Sequence, residues 1–500
     1  MTVSAALQDR LLALQPPGLM IIDGRKAAAQ SGATFANISP RDGRPINEVA
    51  AGDTPDVDLA VAAARAAFED GRWRDRTPAE KKKTLLRLAE LMAAHREELA
   101  LLETLDVGKP LRDARNVDIP LAIQTTRWYA EALDKIYGEV GPSGPGKLSY
   151  AVHEPLGVIG AIVPWNFPLH MAMWKVAPAL AMGNSVVLKP AEQSPLTALR
   201  VAELALEAGL APGVLNVVTG FGETAGQALA RHMDVDMITF TGSGSVGRRL
   251  MVYAGESNLK RVSLELGGKS PQIVFADCPD LDAAAEAAAW GVFFNQGEVC
   301  TAASRLLVQE TIREPFLEKV LAVARGIQVG DPLDEATRFG AMVSGEQMRT
   351  TLGFIERARA SGLEPVLGGR QVLEATGGFY VEPTIFDRLS PEAALAREEV
   401  FGPVLGVLSF QTSDEALRLA NDTVYGLAAG VWTSNIDLAM SAARRLRAGL
   451  VWINGWDACD ITIPFGGFKQ SGFGRDRSLH ALHKYADLKS ITLSHRPPHA

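Results

Sequence analysis

The strongest constraint on this chain is a series of short, largely apolar segments alternating with helical stretches between residues 185 and 275. Segments 185–188, 214–218, 237–240, 262–266 and 272–275 are too short for ordinary helices and too apolar for strands with one wet face. Helical patterns at 195–209, 222–232 and 245–254 separate the first four. Parallel strands cannot be joined by a tight turn and need a crossover, so this alternation predicts a parallel α/β sheet. A second series runs from 304 to 454, with strands expected at 305–308, 404–410, 428–433 and 450–454.

Upstream, the first 140 residues read as helical. Thr77-Pro78-Ala79-Glu80 is a capping box with proline at the first helical position. Leu85, Leu88, Met92, Leu99 and Leu102 then share a face until Val107-Gly108-Lys109-Pro110 stops the helix. A second helix is expected over 118–137. Gly141-Pro142-Ser143-Gly144-Pro145-Gly146 breaks the pattern, and 148–163 reads as strands. Residues 492–500 read as a frayed tail.

Five hundred residues predict two to four domains with a core that needs no staple. A net charge of -8 lacks the basic stripe of a nucleic-acid partner. Three cysteines, Cys278, Cys300 and Cys459, are too few and odd for a disulfide framework, which places the chain in a reducing, cytoplasmic compartment. Neither a signal peptide nor a membrane span is expected. The eight histidines show no metal-ligand spacing, and His480 and His483 read as a helix surface.

Gly242-Ser243-Gly244-Ser245-Val246-Gly247 fits G-x-G-x-x-G between an apolar strand and a helix, and Glu265 follows 18 residues later. Such glycines let backbone approach a pyrophosphate while an acid holds the ribose hydroxyls. A plain strand-turn-helix is the open alternative. Glu265 lies in Leu264-Glu265-Leu266-Gly267-Gly268-Lys269, and paired glycines suit a carboxylate that swings or is closely approached. A ribose clamp does not require them.

A second anchor, Phe294-Asn295-Gln296-Gly297-Glu298-Val299-Cys300-Thr301, places a cysteine 35 residues after Glu265. With Pro164-Trp165-Asn166-Phe167-Pro168, Lys189-Pro190-Ala191-Glu192, Glu398-Glu399-Val400-Phe401-Gly402-Pro403 and Pro464-Phe465-Gly466-Gly467-Phe468-Lys469, it resembles the aldehyde dehydrogenase superfamily over nearly the whole chain. The segments 253–262 and 475–482 look closest to bacterial enzymes for gamma-aminobutyraldehyde, gamma-guanidinobutyraldehyde and gamma-glutamyl-gamma-aminobutyraldehyde. The resemblance implies an α/β fold of two lobes with a β oligomerisation arm. Residues 1–137 and 157–267 would form a Rossmann-like NAD-binding domain, 268–467 the catalytic domain, and 138–156 with 484–500 the arm of a homo-oligomer.

By the same resemblance Cys300 is the nucleophile, forming a thiohemiacetal and then a thioester. The Asn166 amide and the Cys300 backbone N–H would hold the oxyanion. Glu265 would be the general base that activates water, which makes water rather than coenzyme A the acyl acceptor. The implied cofactor is NAD. Lys189 and Glu192 would hold the adenosine ribose, with Glu192 disfavouring a 2′-phosphate, and Gly222 and Gly226 would lie near the adenine. Ser243 and a helix N-terminus would meet the pyrophosphate. Trp165, Ile162, Phe240, Gly242, Val246 and Leu266 would line the cleft, and Glu399 and Phe401 would hold the nicotinamide ribose and ring.

For the aldehyde, Phe167, Trp174, Phe294 and Phe465 would surround the path, with His170, Met171 and Thr301 beside it. Asp457, Cys459 and Asp460 would stand at the mouth, where Cys459 departs from the glycine of close relatives. Four ring faces and two acids would favour a cationic tail, as in amino- or guanidino-alkyl aldehydes. Betaine aldehyde or broad-range aliphatic oxidation is the alternative within the family. Outside it stand a plain Rossmann dehydrogenase, a non-catalytic structural protein and a thiol esterase.

Overall fold

The computed structural model describes residues 11, 13–458 and 460–495. Its first sheet has eight strands, ordered Arg25–Ala27, Met20–Ile22, Leu215–Val217, Ser185–Lys189, Val158–Ile162, Met237–Thr241, Arg261–Glu265 and Gly472–Phe473. The five from Leu215–Val217 to Arg261–Glu265 run parallel. Alternate residues supply two cores. Ile159, Ala161, Val186 and Leu188 pack with helices Pro168–Ala181 and Leu196–Glu207. Val158, Val187, Ile238 and Phe240 pack with helices Thr54–Glu69 and Gly244–Gly255 on the other face. Helices on both faces leave the inner strands no wet side, which explains their continuous apolar runs.

A second, seven-stranded sheet is ordered Pro365–Leu367, Thr384–Phe386, Val404–Phe410, Arg305–Gln309, Pro271–Val274, Ala428–Trp432 and Leu450–Ile453. All its pairs are parallel except that of the edge strand Pro365–Leu367. Only residues 266–270 separate Glu265, which ends a strand of the first sheet, from Pro271, which begins one of the second. The expected strands match these within a residue or two.

A third, antiparallel sheet joins Glu139–Gly141, Lys147–Pro155 and Ala486–Ser494, in register from Ala486 opposite Pro155 to Ser494 opposite Lys147. Val140, Leu148, Leu488 and Leu493 are exposed on it. The expected frayed tail is therefore corrected over 492–494, where ladder bonds to Lys147–Ser149 hold the chain extended. Residues 496–500 lie outside the described residues.

The wholly helical reading of the first 140 residues is also corrected. Strands Met20–Ile22, Arg25–Ala27, Thr34–Ile38 and Pro45–Ala50 precede the helices. Asp23 and Gly24, both at positive φ, close the first hairpin, the Asp-Gly signal of a two-residue turn. The capping box forms as expected, with Thr77 N–H donating to Glu80 at 2.8 Å. The following helix is two, Pro78–Ala94 and Arg96–Val107, broken at His95. The next runs Ile119–Ala132 after a π-helical turn at Ala114–Asp118, shorter than expected at its C-terminal end. No helix among the described residues is long and apolar enough to cross a membrane.

Candidate active site

Cys300 follows the helix Leu281–Phe293 through a turn whose residues Asn295, Gln296 and Gly297 have φ of 48°, 57° and 75°. Two consecutive non-glycine residues in the left-handed region are costly, so surrounding bonds must hold them. The Asn295 side-chain amide donates to the carbonyls of Asn166 (3.0 Å) and Glu298 (3.2 Å). The buried Glu298 carboxyl accepts from the Val343 N–H at 3.1 Å. The turn thus pins the segment before Cys300 against the Asn166 loop.

Asn166 is held at both ends. Its Nδ2 donates to the Glu298 carbonyl at 2.9 Å, and its own carbonyl accepts from Lys109 Nζ at 2.9 Å. Lys109 is buried, paired with Asp118 and 3.6 Å from Glu103, and lies 4.3 Å over the Phe167 ring. The sequence showed Lys109 only as part of a helix stop. Its role in holding the loop comes from a contact 57 residues away.

Glu265 is 2% exposed and both carboxylate oxygens lack a hydrogen-bond partner. Burial first, then the nearby Asp476 carboxylate, push its pKa well above the ordinary value, against Lys175, Lys484 and Arg475. Asp476 is itself paired with Lys175 and Lys484 in the interior. A Cβ on Gly267 would lie 1.9 Å from Glu399 Oε2, and one on Gly268 2.7 Å from the Cys300 carbonyl. The two glycines therefore make room for Glu399 and for the Cys300 backbone, rather than for the Glu265 carboxylate as expected.

Cys300 lines two cavities. One, of about 240 Å³, is walled by Trp165, Asn166, Gly242, Ser243, Leu266, Glu399 and Phe401. The Gly268 N–H donates to Glu399 at 2.9 Å, and burial pushes the Glu399 pKa up to about 7. Phe401, at φ 54°, meets Trp165 edge-on with centroids 5.2 Å apart. Ser243 caps helix Gly244–Gly255, its side chain accepting from the Val246 N–H. Glu265 does not line this cavity, although its backbone carbonyl accepts from the Gly242 N–H at 3.0 Å.

The remaining residues expected around a dinucleotide lie further out. Lys189 Nζ is 3.1 Å from Glu192 Oε2, and burial lowers the Lys189 pKa. Glu192 lines a separate cavity of about 310 Å³ with Phe35 and Phe221. Gly222 and Gly226 bound a π-helical turn, and a Cβ on Gly222 would meet nothing within 4 Å. Ile162 and Phe240 belong to adjacent strands of the first sheet. An unpartnered buried hydroxyl at Thr241, free N–H groups at a capped helix start and open space at Gly222 fit a dinucleotide lying across these strand ends.

The second cavity, of about 450 Å³, is lined by Phe167, His170, Met171, Trp174, Phe294, Cys300, Thr301, Asp457 and Phe465. Burial pushes the Cys300 thiol up to about 12, helped by the Glu399, Asp457 and Glu265 carboxylates and opposed by Arg477. Asp457 meets the solvent of the cavity but is walled by protein, and its pKa rises to about 6. Two expectations change here. Asp460 does not line the cavity; it sits on the surface and accepts from the Thr462 N–H at 2.8 Å. Cys459 lies outside the described residues. The sequence reading also missed Asp113, Glu286, Trp290, Arg338 and Arg477, which line the same space from distant segments. Nor are the rings an empty cage, since the Arg477 guanidinium lies over Trp174 and Phe465.

A cysteine between two sheets, lining on one side a cleft that fits a dinucleotide and on the other an aromatic cavity, is an arrangement suited to an NAD-dependent oxidoreductase. The chain belongs to the aldehyde dehydrogenase family, which it matches over residues 27–491. It is 51% identical over 487 residues to the NADP/NAD-dependent aldehyde dehydrogenase PuuC of Escherichia coli (strain K12), covering 97% of this chain and 98% of that one. The crystal structure of gamma-glutamyl-gamma-aminobutyraldehyde dehydrogenase from Burkholderia cenocepacia J2315 superposes with a TM-score of 0.97 at 54% identity, covering 99% of this chain and all of that one. An indole-3-acetaldehyde dehydrogenase crystallised with NAD+ matches with the same TM-score, identity and coverage.

Proposed function

We propose that the enzyme oxidises an amine- or guanidine-bearing aldehyde to its acid with NAD, using Cys300 as nucleophile, Asn166 as oxyanion donor and Glu265 as base. The observation that carries this is Cys300 lining both the cavity beside Ser243, Glu399 and Phe401 and the aromatic cavity. The Cys300 thiol loses its proton to water in the cavity as its sulfur bonds to the aldehyde carbon, and the carbonyl oxygen takes the negative charge. Asn166 Nδ2 carries two hydrogens, one given to Glu298 and one free for that oxygen beside the Cys300 N–H. Bound NAD would supply the hydride acceptor for oxidation of the Cys300 thiohemiacetal to a thioester. Glu265 then takes a proton from the water that cleaves the thioester, a task suited to a carboxylate that burial makes more basic than usual.

Lys189 and Glu192 would hold the adenosine ribose, and Glu399 and Phe401 the nicotinamide end. Asp113, Glu286 and Asp457 outnumber Arg338 and Arg477 in the cavity wall, which supports a cationic tail. Residues 1–137 and 157–267 form the NAD-binding domain, 268–467 the catalytic domain, and 138–156 with 484–500 an arm. The exposed apolar residues on that arm support a homo-oligomer, since an uncovered edge invites pairing. The sparse cysteines support a cytoplasmic enzyme. The test is NADH formation with 4-aminobutyraldehyde by the wild type and by Cys300→Ala. The variant is expected to bind NAD and make essentially no NADH. Retention of more than about a tenth of kcat would exclude covalent catalysis at Cys300.

A further inference from the structure

Arg477 sits inside the substrate cavity, 7% exposed, at a backbone φ of 58° followed by Ser478 at 49°. Its guanidinium carbon is 4.5 Å from the Trp174 ring centroid and 4.9 Å from that of Phe465. Its Nε is buried with no hydrogen-bond partner. Among the described residues no carboxylate lies within ion-pair distance of it, although Asp457 lines the same cavity. The preceding Asp476, clamped by Lys175 and Lys484, fixes the loop that carries it. A buried guanidinium without an acceptor leaves strong donors unsatisfied, and such donors are costly unless something arrives to accept.

We infer that Arg477 forms an acceptor-binding subsite of the substrate cavity, taking a neutral carbonyl oxygen, as of an amide, on the aldehyde's tail. The planar guanidinium offers fixed donors into the cavity, and the two rings hold it there through their negative faces. The same placement closes the Trp174 and Phe465 faces to a substrate cation, which would have to displace a resident one of like charge. A neutral amide suits the subsite better than a carboxylate, because Asp113, Glu286 and Asp457 line the same space. The favoured tail carries an uncharged carbonyl acceptor for Arg477 in addition to the amine that the three acids attract. This rests on the aldehyde-oxidising reading above and refines which tail that cavity accepts.

The test compares kcat/KM for 4-acetamidobutanal, which has a neutral amide, with that for heptanal, which has equal chain length and no acceptor. Wild type, Arg477→Lys and Arg477→Leu are measured, with circular dichroism as a check on folding. Wild type should prefer the amide. Arg477→Leu should lower the amide-to-heptanal ratio at least about tenfold, chiefly through KM, because a charged donor to the carbonyl is lost. Arg477→Lys should retain part of the ratio, since one cationic donor remains. Should Arg477→Leu fail to fold, the wild-type ratio and the Arg477→Lys variant decide. Equal kcat/KM for the two aldehydes in the wild type, or a folded leucine variant that lowers both by one factor, would overturn the subsite. Loss of all aldehyde oxidation by the wild type would instead overturn the proposed function.

Discussion

The side-chain amide of Asn166 donates to the backbone carbonyl of Glu298, two residues before Cys300, at 2.9 Å. This bond orients the amide relative to the thiol before any substrate arrives. Preorganised donors matter because they cost no reorganisation when the oxyanion forms. Asn166→Ala is therefore expected to lower kcat about 10²- to 10³-fold while leaving NAD affinity intact. Stopped-flow hydride transfer and NAD titration would check this. A loss confined to KM would show that Asn166 binds substrate rather than the developing charge.

Glu265 offers a different kinetic signature. It is expected to act after hydride transfer, so Glu265→Gln should give one burst of NADH per active site and then stall. The burial that raises its pKa also fixes the sign of its pH dependence. A base works when deprotonated, so steady-state kcat of the wild type should fall as pH drops through the raised pKa. Burst amplitude should change less. Uniformly slow kinetics without a burst in the variant would move the role of Glu265 to deprotonation of Cys300.

Glu192 lies 3.1 Å from Lys189 at the C-terminal end of the inner strand Ser185–Lys189, and the two are proposed to hold the adenosine ribose. A 2′-phosphate there would face a carboxylate, so NAD should be favoured over NADP. Glu192→Gln should narrow the NAD-to-NADP ratio of kcat/KM by roughly five- to tenfold, about 1 kcal/mol of removed repulsion. A ratio unchanged by the substitution would place the 2′ position elsewhere.

How much of this was legible beforehand depends on how local each signal is. The parallel strands were, because their apolar runs are set by burial on both faces within each segment. Cys300, Glu265 and Asn166 stood out because each lies in a contiguous motif. The first strands did not, since Met20–Ile22 and Arg25–Ala27 are three residues each and carry too little periodicity to outweigh the helices after them. Asp113, Trp290, Arg338 and Arg477 were invisible as cavity residues, because only the packing of both lobes brings four distant segments to one space. Asp460 misled for the converse reason: adjacency to Asp457 in sequence suggested a shared mouth, while the loop turns it outward to cap Thr462.

Asp457 gives the sharpest test of tail charge. Its pKa is pushed up to about 6, mainly by burial and against the pull of Arg477. Above that pH the carboxylate is ionised and attracts a protonated amine; below it the attraction is lost. Referring kcat/KM to the open-chain aldehyde, whose ammonium stays protonated throughout this range, assigns the change to the protein rather than to cyclisation of the substrate. A partly screened pair of this kind contributes up to about 1 kcal/mol, or roughly fivefold in kcat/KM. The ratio of kcat/KM for 4-aminobutyraldehyde over pentanal cancels the shared titration of Cys300 and Glu265. That ratio should therefore be about fivefold at neutral pH and fall as pH passes down through about 6. Added salt should lower it, and Asp457→Asn should flatten its pH dependence. A ratio near one at every pH would show that the three acids of the cavity wall do not set the preference, and that the amine-bearing tail is the wrong substrate class.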